Sequence, residues 1–212
     1  MQAPTRYRSG VAALALMALL LSACRVEEPS RVGKEPAPDR ADFKILETRA
    51  VDSQDRPEAG QRATEAGPAV QKLLNDFYTG AFIDPDQWGD GTHESIKGLF
   101  TGEAQGHVGP NLGGLALADL APRIDRVYPT KQEAAKLTFM AEDDLSLPIG
   151  LVNVVFEAEA EAKEGEDSPV KIIHHAIFWL AREGDAYKIS AFQAALSADT
   201  ETRTAAWGGM GQ

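Results

Sequence analysis

At Pro122 the spacing of apolar residues changes period, from helical before it to alternating after it, and that single change sets the fold class. Upstream, Val70, Leu73, Leu74, Phe77, Tyr78, Ala81 and Phe82 recur at the i, i+3, i+4, i+7 spacing of one helix face, with Gln71, Lys72, Asn75 and Asp76 opposite. The helix is expected to start near Pro68, since proline suits a first turn, and to end at Asp84-Pro85-Asp86. A shorter helix is expected from Thr92, as its cap, to Phe100, with Ile96, Leu99 and Phe100 inward and Trp88 packing the corner between the two. Residues 102 to 121 are glycine-rich and read as a mobile connection, with a turn of helix at Ala116 to Leu120. Gly113-Gly114 is no phosphate cradle, because no lysine at P-loop spacing and no third glycine accompany it.

Downstream, strands are predicted around Ile124 to Tyr128, Ala135 to Phe139, Ile149 to Ala162, Val170 to Ala181 and Tyr187 to Phe192. Turn chemistry at Asp143-Asp144, Glu164 to Asp167 and Glu183-Gly184-Asp185 joins them by short junctions, which implies antiparallel pairing. Helices followed by a meander define an α+β class, with N-terminal helices packed on an antiparallel sheet. Val152, Val154, Phe156, Ala158 and Ala160 share one face of the third strand, and Asn153, Glu157, Glu159 and Glu161 the other. The fourth strand is apolar on both sides, so something is expected to cover each of its faces. His174 falls with Ile172, Ala176 and Phe178 on the inward face. His175 faces the other way, so the pair cannot hold one metal, and no cofactor or metal motif completes a site. His93 and His107 are expected to be exposed.

The N-terminus carries a different message. Arg6 and Arg8 precede eleven apolar residues, Val11 to Leu21, a run of roughly 16 Å as a helix and too short for the ~30 Å hydrocarbon core. It reads as an export signal. Leu21-Ser22-Ala23-Cys24 follows, with the only cysteine of the 212 residues. This stretch resembles the processing site of bacterial lipoproteins. The resemblance implies cleavage before Cys24, lipidation of its thiol, and anchoring to the bilayer on the extracytoplasmic face of a bacterial membrane.

Four segments result: a signal peptide at 1–23, lipidated Cys24 with a disordered linker to residue 66, a head at 67–197, and a disordered tail at 198–212. The linker mixes charges and prolines with few apolar residues on no period, and only Phe43-Lys44-Ile45-Leu46 could dock as a short strand. The whole chain holds 21 basic and 32 acidic side chains, a net charge of −11, and loss of Arg6 and Arg8 takes it to −13. Such a surface repels nucleic acid, which is excluded as a partner.

The closing strand Gly184-Asp185-Ala186-Tyr187-Lys188-Ile189, after Phe178-Trp179-Leu180, gives the head a resemblance to the nuclear-transport-factor-2-like superfamily, which includes SnoaL-like proteins and ketosteroid isomerase. In layout the chain is also similar to actinobacterial lipoproteins associated with mammalian-cell-entry systems. The resemblance implies a cone-shaped fold whose curved sheet and helices enclose a pocket, for which His174, Phe178, Phe156, Tyr128 and Phe77 are the candidate lining. It transfers no catalytic residue. An isomerase-type site would ask for a carboxylate base such as Asp125 with Tyr128 or Tyr78. Asp125 and Tyr128 are three apart on one strand and face opposite sides. Two functions are therefore expected: a membrane-anchored, non-catalytic binding or accessory module for an apolar ligand, a protein partner or a second copy docked through the sheet face; or, alternatively, a small-molecule enzyme of SnoaL or isomerase type.

Overall fold

The computed structural model describes residues 38–88, 93–131, 133–164, 170–199 and 201–208. Cys24, the signal segment and Thr92 lie outside the described residues. Seven strands are described: β1 (Lys44–Val51), β2 (Ile124–Pro129), β3 (Ala134–Met140), β4 (Ile149–Ala162), β5 (Val170–Glu183), β6 (Ala186–Ala198) and β7 (Glu201–Trp207). They form one open sheet in the order β1-β3-β4-β5-β6-β7, with β2 also on β4. Its helices are α1 (Pro57–Tyr78), which runs on through a π-helical turn at Thr79–Ile83, α2 (Pro85–Trp88), α3 (Glu94–Lys97) and α4 (Gly102–Leu115). The class is α+β, as the change of period predicts.

The sheet is mixed rather than wholly antiparallel, because β1 pairs with β3 in parallel. β2 and β3 do not form a hairpin. Both run antiparallel to β4, β2 against Ala158 to Ala162 and β3 against Ile149 to Val155, so they lie end to end with a break between Pro129 and Ala134. The hairpin of β5 and β6 turns as expected at Gly184, whose φ of +62° is a left-handed conformation that glycine adopts without steric cost.

Order reaches further in both directions than the sequence suggests. The reading of 25–66 as a disordered linker does not hold for β1 or for α1, which begins at Pro57 and carries Pro68 in its interior. Pro57 takes the first-turn role that Pro68 is expected to play. The added half of α1 buries Ala59, Ala63 and Gly67, a face of small side chains. Three consecutive backbone N–H groups then pin the start of β1: Ala41 donates to Thr79 Oγ1 (3.0 Å), Asp42 to Glu133 Oε2 (2.7 Å) and Phe43 to Asn75 Oδ1 (2.7 Å). The fully buried Phe43 ring sits 4.5 Å from that of Tyr78. Burying an aromatic ring is worth about 1.5–3 kcal/mol, and it helps offset the ordering of the strand behind it.

Residues 102–115 form α4 rather than a loop. Thr101 Oγ1 caps it by accepting the Ala104 N–H, and Ala104, Val108, Gly114 and Leu115 are buried. With five glycines the helix has poor intrinsic propensity, so packing against β6 and β7 must hold it. The supposed tail supplies β7. Trp207 stacks on His107 with ring centroids 3.3 Å apart and planes within 8°, Arg203 bonds Asp119, and Asn111 accepts the Ala206 N–H. His107 is thus half-buried and His93 buried, not exposed, while Trp88 is buried at its helix corner as expected.

Candidate functional site

Alternation along β5 turns His174 inward, and the last turn of α1 and the end of α4 meet it there. Tyr78 Oη lies 2.8 Å from Nδ1, and Nε2 lies 3.1 Å from the Gly114 carbonyl. A carbonyl only accepts, so Nε2 carries the proton and Nδ1 accepts from the tyrosine hydroxyl. Burial pushes the His174 pKa down from 6.5 to about 3, against the Gly114 bond, which raises it, and holds Tyr78 well above 10.0. The imidazole is neutral, with both nitrogens used. Around it Phe77, Phe82, Phe156 and Phe178 have no exposed surface, and the rings of Phe82 and Tyr78 lie 5.0 and 5.6 Å from that of His174.

Four of the five candidate lining residues, Phe77, Phe156, His174 and Phe178, are therefore together, but as packed core. The space in which a cone would leave a pocket is filled by their rings. Tyr128 is elsewhere: its hydroxyl donates to Glu161 Oε2 (3.1 Å), on the face of the sheet away from α1 and α4. Asp125 is exposed. Among the described residues no group of three His, Cys, Asp or Glu side chains is placed to hold a metal, and no helix is long and apolar enough to cross a membrane.

That outer face is where surface features collect. Val51, Met140 and Ile149 lie side by side in register, 57%, 57% and 45% exposed, and Leu46 and Val155 project from the same half of the sheet. Between these two lies a groove of about 370 Å³ lined by Lys131, Glu133, Ala134, Ala135, Lys136, Asn153 and Glu157 as well. Glu133 stands at the break between β2 and β3 and is 6% exposed. Its Oε2 accepts the Asp42 N–H, while its buried Oε1 has no hydrogen-bond partner among the described residues. Desolvation raises its pKa from 4.5 to about 7; the Asp42 N–H opposes the rise and the Asp42 charge adds to it.

The sign of the Glu133 contribution to stability follows. Between pH 4.5 and 7 the folded state keeps a proton that the unfolded chain has lost, so this contribution shrinks as pH rises through that window. Glu133→Gln removes the dependence. Urea unfolding at pH 4.5 and 7.5 is expected to show the variant gaining up to about 3 kcal/mol on the wild type across that interval. A difference independent of pH would refute the assignment.

Sequence reasoning does not find Glu133. It sits in Thr130-Lys131-Gln132-Glu133, between two predicted strands, and its amide partner Asp42 is 91 residues away. In comparisons with known proteins, no family model, no curated protein and no solved structure matches the chain.

Proposed function

We propose that the chain is an extracytoplasmic bacterial lipoprotein, tethered through acyl chains on Cys24, whose head is a non-catalytic binding or accessory module. The observation that carries the non-catalytic reading is His174, the inward-facing candidate base, which is sealed and hydrogen-bonded through both nitrogens, to Tyr78 and to the Gly114 carbonyl. A catalytic base needs to reach the proton it removes, and neither nitrogen is open to a substrate. Binding falls instead to the outer face of the sheet, whose exposed apolar row suits an apolar ligand, a protein partner or a second copy. Helices followed by long antiparallel strands support kinship with the nuclear-transport-factor-2-like superfamily, with a parallel β1 added and the interior closed.

The tether is tested by fractionation. The wild-type precursor expressed in a bacterium is expected in the membrane fraction, and Cys24→Ala is expected to move most of it to the soluble fraction with the head still folded. A head that remained membrane-bound without Cys24 would overturn the assignment.

A further inference from the structure

β1 is an edge strand, paired with β3 on one side and with no other described strand. The Lys44 N–H donates to the Glu133 carbonyl and the Val51 carbonyl accepts the Ala141 N–H, so in this register Lys44, Glu47, Arg49 and Val51 turn their backbone groups to β3. Successive residues of a strand point these groups to opposite sides. Those of Thr48 and Ala50 therefore face outward, where no described residue bonds them. Leu46 and Val51 on the same strand are 67% and 57% exposed, among the most open large apolar side chains of the described residues. An open edge of this kind is a template for a further strand, and its charges decide which one.

We propose that this edge pairs with β1 of a second copy of the chain, antiparallel, about a two-fold axis through Thr48. The Thr48 N–H and carbonyl then exchange hydrogen bonds with the same groups of the second copy, and Glu47 comes to lie opposite Arg49 on both sides of the axis. Side chains at such positions stand close enough to pair across the strands. Neither residue is strongly engaged within one copy: Arg49 has no carboxylate partner among the described residues and donates through Nε to Thr138 Oγ1 (3.2 Å), while Glu47 has Lys136 3.5 Å away on an exposed surface. The same charges fix the register. An axis through Glu47 or through Arg49 would oppose like charges, and one through Ala50 would leave Arg49 facing Val51. With the axis at Thr48, Leu46 meets Ala50 and Ile45 meets Val51, which covers the two exposed apolar side chains.

The ladder is short, because the register shift between Ile45 and Glu47 interrupts its regular part. It buries less than the ~800 Å² per partner of a standard interface, so the dissociation constant is expected in the micromolar range. An extended peptide from another protein fits the edge less specifically, since it would need an acid and a base two residues apart in the reverse order. A second copy supplies that order by symmetry. The inference extends the reading of the head as a binding module by naming a partner, but it uses the strand edge and not the outer face of the sheet. A monomeric chain would sink the pairing and leave that reading standing.

Sedimentation equilibrium of the full chain carrying Cys24→Ala is the test, in salt of about 0.15 M to screen the net charge of −11. A monomer–dimer equilibrium is expected. Glu47→Arg and Arg49→Glu should each weaken it by about ten- to a hundredfold, because each turns two attractions across the axis into repulsions. Mixed in equal amounts, the two variants should pair with each other at close to the unsubstituted affinity, since every pair across the axis is again of opposite sign. That recovery also shows both variants to be folded. Thr48→Cys, then the only cysteine of the chain, should cross-link two copies on oxidation. A chain that stays monomeric at hundreds of micromolar would overturn the proposal, as would variants that fail to pair on mixing. So would a dimer indifferent to both charge reversals, the result expected if the outer face or the apolar run at 11–21 joined the copies. None of these outcomes alters the membrane fractionation of Cys24→Ala, so the tether is judged separately.

Discussion

His174→Ala is expected to destabilise the head by about 3–5 kcal/mol, the sum of a cavity among aromatic rings and two buried polar groups left without partners, the Tyr78 hydroxyl and the Gly114 carbonyl. For a domain of this size that lowers the melting temperature by roughly 6–20 °C. The pH dependence tells this role from a catalytic one. The folded pKa of about 3 lies below the ordinary 6.5, so the unfolded state takes up a proton first as the solution is acidified. The stability that His174 contributes is complete above pH 6.5 and is lost progressively as pH falls towards 3. This slope is opposite to that of Glu133, and between pH 4.5 and 6.5 the two offset each other. Denaturation curves of the wild type should be nearly flat there as far as these two groups are concerned, with His174→Ala tilting one way and Glu133→Gln the other. An alanine variant as stable as the wild type would refute the structural role.

Gly114→Val is expected to cost about 3 kcal/mol or more, because a Cβ at that position would stand 2.6 Å from Ala205 N and 2.6 Å from Thr204 C, both backbone atoms of β7. The helix would have to lift from the strand. The His174 bond to the Gly114 carbonyl and the stack of His107 on Trp207 would go with it, and amide exchange in β7 should accelerate well beyond that in β4 or β5. Gly106→Ala is the control. Beyond the adjoining helix backbone no atom lies within 4 Å of a Cβ there, so the better helix former should leave stability unchanged or raise it by up to about 1 kcal/mol. Equal effects of the two substitutions would mean that α4 is not wedged against β7.

These two glycines also show where a sequence stops being readable. The large apolar residues from Val70 to Phe82 and the alternation through β4 and β5 are visible because each element buries bulky side chains on its own period. β1 is not: a register shift between Ile45 and Glu47 breaks its alternation, and its inward residues beyond that point are Thr48 and Ala50. The first half of α1 packs through Ala59, Ala63 and Gly67, which carry little hydrophobic signal. α4 is written in residues that disfavour helix, and close approach to a strand explains Gly114 among them. At the site, the inward turn of His174 follows from strand alternation, but Tyr78 and Gly114 stand 96 and 60 residues away, beyond any local pattern. Whether an inward histidine lines a pocket or plugs one depends on the rings around it, and Phe43 and Phe82 arrive from segments whose docking only the folded chain decides.

The three N–H groups held at Ala41, Asp42 and Phe43 would have a mechanical meaning for the N-terminally tethered head proposed above. A pull on the chain ahead of Ala41 meets the exposed Arg40–Asp76 ion pair and then these bonds and the Phe43 ring. Directed back along β1, the force loads the β1–β3 ladder in shear, with its parallel hydrogen bonds strained together rather than peeled singly. Ala41 stands seventeen residues beyond Cys24, a length that spans at most about 60 Å. In the tethered protein proposed above, the clamp would set both how far the head can stand from its anchor and where a tug from the membrane is absorbed.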